Sequence, residues 1–118
     1  MPTREDVLAI RTIEEAFDLW TTRVTKREIG LIRAARTYGL LDFTEHAIWE
    51  ADEEMIPHPA VRRVVERARI TSKDVDPSGE RSIGVNFEGA IPDRRRIRAK
   101  VSWEVGYFFA TVHTIDIW

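Results

Sequence analysis

Arg94, Arg95, Arg96, Arg98 and Lys100 place five cations within seven residues. A phosphodiester needs such a cluster for docking, and again for stabilising the negative charge that builds up during attack on phosphorus. In an extended segment, side-chain alternation sends Arg96, Arg98 and Lys100 to one face. The chain has 3 His, at 46, 58 and 113, and these are its side chains that titrate near neutrality. His46 falls at a helix start, where free backbone N–H groups also favour a phosphate. His113 falls on the last strand, and His58 in a turn between Pro57 and Pro59, with no expected role.

A second cluster has the opposite sign. His46, Glu50 and Glu54 recur every fourth residue and so share one helix face. An imidazole with carboxylates is a possible divalent-cation set. The stronger expectation is a solvated acidic face, or a partner-docking surface made of Glu50, Asp52, Glu53 and Glu54. No metal and no cofactor are expected. The chain contains no phosphate-binding glycine loop, dinucleotide fingerprint, paired-His helix or Gly-x-Ser-x-Gly elbow.

The elements that must position these residues follow from periodicity. Thr3 caps a first helix over 4–22, with Ile10, Ile13, Phe17, Trp20 and Val24 as its apolar stripe. Ile13, Phe17 and Trp20 are expected to be buried. Thr25 with Glu28 makes a capping box for a second helix over 26–37, ended by Gly39, so the two form a helical hairpin. Leu40–Phe43 reads as a short strand. Helices over 45–55 and 59–69 follow, then a polar loop over 71–80. From there the period changes to two, predicting antiparallel strands over 82–88, 95–103 and 107–116. The class is α+β: an N-terminal helical hairpin, then β-α-α-β-β-β with an antiparallel sheet.

The chain has 118 residues, 43% hydrophobic and 32% charged, which suits a single domain with its own core. Residues 1–37 form an extension and 38–118 the α+β unit. With 0 Cys, a disulfide framework and a thiol nucleophile are excluded. No apolar run reaches the roughly 18–20 residues of a membrane span, so a cytoplasmic protein without membrane contact is expected. The formal net charge is −2 and the pI about 5.9, which counts against strong non-specific nucleic-acid binding. The distribution is uneven. Residues 1–59 carry 7 basic against 12 acidic side chains (−5), and 60–118 carry 11 against 8 (+3).

The order from residue 38, together with Phe43-Thr44-Glu45-His46-Ala47, resembles the RelE-type ribonuclease toxins, closest to the short BrnT-like branch. Ile56 with Val61 matches the helix turn, Arg95–Val101 the basic strand, and Ala110-Thr111-Val112-His113 the closing strand. The resemblance covers residues 38–118. It implies metal-independent RNA cleavage, with His46, Arg96, Arg98 and His113 catalytic, Arg94, Arg95 and Lys100 holding RNA, and a cognate antitoxin-like protein partner. Two departures stand out. The family places arginines four and eight residues after the histidine, where this chain has Glu50 and Glu54, and the family is basic. The expectation is therefore a ribonuclease-toxin relative, either active or with its activity lost. The alternative is a non-catalytic interaction module docking through the acidic helix or the helical hairpin. A third reading is DNA binding through Lys26, Arg27, Arg33 and Arg36, without a recognisable recognition helix.

Overall fold

Threonine caps start most of the helices. Thr3 and Asp6 form a capping box that opens α1 (Arg4–Leu8), and Thr12 opens α2 (Ile13–Ala16). Thr25 and Glu28 open α3 (Lys26–Thr37), which ends at Gly39 with φ +71°. The computed structural model describes residues 2–67, 69–75, 83–104 and 106–117. His46, Glu66, residues 69–71 and 112–117 are described by backbone alone. The short strand β1 (Leu41–Phe43) leads into α4 (Glu45–Glu53), capped by Thr44, and α5 (His58–Arg67). Four further strands follow: β2 (Arg69–Asp74), β3 (Gly84–Ala90), β4 (Arg95–Glu104) and β5 (Tyr107–Ile117).

The five strands form one mixed sheet in the order β1-β5-β4-β3-β2. β2 to β5 pair antiparallel, and β1 lies parallel to β5 with Leu41 opposite Phe108. Val85 and Phe87 of β3 and Ile97, Ala99 and Val101 of β4, all odd-numbered, are fully buried. They join Val65 of α5, Ala16 of α2, Ile32 of α3 and Phe17 just after α2 in one core. The α+β class with helices preceding the strands is therefore the observed one. No helix among the described residues is long and apolar enough to cross a membrane.

Three sequence expectations differ from the structure. The helix over 4–22 is interrupted, because Thr12-Ile13-Glu14-Glu15 is itself a Thr-x-x-Glu start signal. Thr12 Oγ1 accepts from Glu15 N, and Glu15 Oε1 accepts from Arg11 N, so local capping displaces continuous helix. Phe17 is then extended and fully buried edge-on against Phe108, at 6.1 Å between ring centroids. Ile13 is half-buried, whereas Trp20, expected inside, is 82% exposed.

The third difference is β2, which occupies part of the expected polar loop. Its register breaks between Ile70 and Ser72, and its inward position opposite Val85 holds Lys73. An apolar alternation is therefore absent from its sequence. Lys73 is buried in a polar pocket: Nζ donates to both Glu28 carboxylate oxygens at 3.0 Å and to the Asp18 carbonyl at 2.8 Å. Glu28, 0% exposed, also accepts from the backbone N–H groups of Thr25 and Asp18. Asp18 in turn accepts from Thr25 Oγ1 and Arg27, which fixes the irregular 17–25 segment against α3.

Candidate nucleic-acid interface

Pleating sends the even-numbered residues of β4 away from the core. Arg96, Arg98, Lys100 and Ser102 thus share the outer face, as the alternation predicts. The register adds Asn86 and Glu88 from β3, Ser72 and Asp74 from β2, and Tyr107, Phe109 and Thr111 from β5. Tyr107 and Phe109 stand side by side, with ring centroids 5.8 Å apart. The face therefore carries cations, polar groups and an aromatic pair.

Its cations are matched by carboxylates. Arg98 donates from Nε and Nη2 to Glu88 Oε1 at 3.1 and 2.8 Å, and Arg96 Nη2 lies 3.9 Å from Glu88 Oε2. Lys100 Nζ pairs with Asp74 Oδ2 at 2.8 Å. Asn86 donates to Ser72 Oγ at 3.0 Å, and lies 3.5 Å from the Asp74 carboxylate. Glu88 is the residue that the sequence reading missed. Its signal was present, since it sits at an even position of the same hairpin and so falls on the arginines' face.

His113 stands directly opposite Arg98 in the β4–β5 register, which brings it to this site by backbone; its side chain lies outside the described residues. The side chain of His46 does so too. Its helix α4 packs on β5, with Ala51 in the same core as Phe108 and Ala110, so the element is in the helix layer and not on the basic face. Of the two candidate histidines, it is His113 that the register unites with Arg96, Arg98 and Lys100.

Arg94 and Arg95 do not join them. Arg94 is in the hairpin turn, exposed, with φ +73°. Arg95 is turned to the α4–α5 connection: its guanidinium donates to the carbonyls of Glu54 and Met55 and to the Asp93 carboxylate. Those hydrogen bonds hold Asp93 below its ordinary range and Arg95 above its own. Arg95 thus staples the hairpin to the α4–α5 connection and stands apart from Arg96, Arg98 and Lys100.

The acidic helix presents Glu45, Asp52 and Glu53 to solvent, with Glu54 just after it and Glu50 half-buried. Asp52 lies 3.2 Å from His58 Nε2. Among the described residues no group of three or more metal-ligating side chains comes together. On α3, Arg27 is engaged by Asp18, which removes one of the cations considered for DNA. Compared with known proteins, the chain matches no family model, no curated protein and no solved structure.

Proposed function

We propose that the chain is a RelE/BrnT-like toxin relative, a metal-independent endoribonuclease whose RNA site is the outer face of the sheet. The observation that carries this reading is the Glu88 carboxylate beside two guanidiniums, 2.8 Å from Arg98 and 3.9 Å from Arg96, with the register position of His113 on the far side of Arg98. Cleavage of RNA without a metal needs a base, an acid and fixed positive charge. Glu88 takes the proton of a ribose 2′-hydroxyl, whose oxygen attacks the adjacent phosphorus. Arg96 and Arg98 stabilise the phosphorane. The bond from phosphorus to the 5′ oxygen breaks, and His113 as imidazolium protonates the leaving oxygen, giving a 2′,3′-cyclic phosphate and a free 5′-hydroxyl. Tyr107 and Phe109 offer stacking surfaces to flanking bases, and Lys100 a further phosphate contact. The substrate makes the cytoplasm its place of action.

The test is cleavage and binding of a fluorescent single-stranded RNA. Glu88→Gln is expected to abolish cleavage while RNA remains bound, and Arg96→Glu with Arg98→Glu to abolish both. Three phosphate contacts on a single strand predict a log–log salt slope of about −2 for wild-type binding. A wild-type protein that neither cleaves RNA nor binds it in a salt-sensitive way refutes the reading.

A second reading has its own observation. On α4, Ile48 and Trp49 are 37% and 58% exposed beside Glu45, Asp52 and Glu53. An apolar patch rimmed by acids suits a basic protein partner, and a non-catalytic interaction module would use it. Trp49→Ala would then abolish partner capture, with RNA binding absent from the start.

A further inference from the structure

A cleft of about 520 Å³ opens between α5 and the end of the β3–β4 hairpin. Its floor is apolar, with Val64 and Ile91 buried and Ala60 and Pro92 on its walls. Arg63 and Arg67 stand on α5 one helical turn apart. Both are exposed, and neither has an ion-pair or hydrogen-bond partner among the described residues. Two non-glycine residues at this end of the molecule hold left-handed backbone conformations: Met55 (φ 53°), which lines the cleft, and Arg94 (φ 73°). Such conformations persist only where the surroundings enforce them. Arg95 supplies the enforcement for Met55, donating to its carbonyl at 2.8 Å and so tying the α4–α5 turn to the hairpin. The mouth of the cleft is therefore built in advance, with Met55 79% exposed on its rim.

The cleft also contains an open sheet edge. Among the described residues, β2 pairs with β3 as far as Arg69, opposite Glu88, whereas Gly89 and Ala90 of β3 pair with β4 alone. Ile91 N–H donates to the Arg95 carbonyl at 2.9 Å. By the alternation of an antiparallel ladder, both backbone groups of Ala90 then point away from β4, toward the side that β2 has left. Ala90 is exposed and lines the cleft. Unpaired edge groups are a template for an added strand.

We propose that this cleft docks an extended, acidic segment of a partner protein, added as a short strand to β3 at Ala90. Its apolar side chains would fill the Val64–Ile91 trough, and its carboxylates would meet Arg63 and Arg67. Arg63 and Arg67, unpartnered among the described residues, select the acidic charge. The free edge selects an extended peptide over a small amphipathic anion, which would fill the trough and leave the Ala90 backbone unmatched. Apart from the Ala90 backbone, no residue of the outer sheet face takes part and none of the groups assigned to RNA does, so this proposal stands or falls separately from the ribonuclease reading.

The test pans a display library of random peptides, each about ten residues long, on the full chain, with counter-selection on an Arg63→Glu/Arg67→Glu variant whose fold is checked by circular dichroism. The expected winners alternate apolar residues, carry carboxylates and bind wild type saturably. They lose about tenfold or more in affinity, about 1.4 kcal/mol, for the double variant. Synthesised with alternate amides N-methylated, the same peptides should lose a similar factor, a readout that does not depend on how the variant folds. Absence of enrichment, winners without acidic residues, or binding indifferent to N-methylation would each overturn the proposal.

Discussion

Replacing Lys73 with Met tests whether one buried ion pair joins the N-terminal segment to the sheet. Both side chains of the Lys73–Glu28 pair are 0% exposed, and the Nζ–Oε2 distance is 3.0 Å. In Lys73→Met, Glu28 keeps the N–H groups of Thr25 and Asp18 but loses the ammonium that pairs with it, leaving a buried carboxylate undercompensated. Breaking such a pair from one side costs ~3–5 kcal/mol. A chain of this length has a total stability of roughly 6–18 kcal/mol, so the loss is a large fraction of it. In thermal terms the midpoint should fall by roughly 10–20 °C. Adding Glu28→Gln should recover part of the loss, because the stranded charge disappears while one amide keeps its acceptor; a coupling of ~1 kcal/mol or more is expected. Urea unfolding followed by tryptophan fluorescence measures Lys73→Met, Glu28→Gln and the double variant. A loss under ~1 kcal/mol for Lys73→Met, or strict additivity in the double variant, would refute the reasoning.

Phe17→Ala should cost ~3–5 kcal/mol by the same assay, as for a fully buried aromatic, while Trp20→Ala should stay within about 0.5 kcal/mol of wild type. Acid stability should report Asp18. Burial raises its pKa, but hydrogen bonds from Arg27 and Thr25 and the charges of Arg27 and Lys73 outweigh that and hold it below its ordinary 3.8. A depressed carboxylate contributes stability that is complete above its unfolded pKa and lost as pH falls through the lower folded one. Asp18→Asn should therefore flatten the stability-versus-pH curve below pH 3.8, and an unchanged acid limb would contradict the assignment.

Much of this fold was legible because its signals are local. The Thr25–Glu28 box, Gly39 and the alternation in β3 and β4 each act within a few residues, and each is realised. The break at Thr12 was equally local but was masked by an apolar stripe running through it. Trp20 continues that stripe in sequence and leaves it in space, because the helix has ended before it. β2 was illegible for a different reason: the inward residue is a lysine, acceptable there only because Glu28, 45 positions away, is waiting for it. No window of sequence contains that pairing.

The same strand decides the character of the candidate site. Without β2, Lys100 would add an open charge to the basic stripe; with it, Asp74 answers Lys100 as Glu88 answers Arg98. Counting cations along β4 overstated the positive potential of the face, since the register supplies an acid from each neighbouring strand on the β3 side. What the register leaves is more specific than a basic patch. A carboxylate held between guanidiniums has a fixed orientation beside fixed positive charge, an arrangement that the proposed proton abstraction next to a phosphate uses and that simple electrostatic attraction does not need. In the proposed ribonuclease, the two carboxylates weaken phosphate docking and Glu88 is also the group that acts on the ribose. Binding strength and chemistry at this face therefore pull on the same residue in opposite directions.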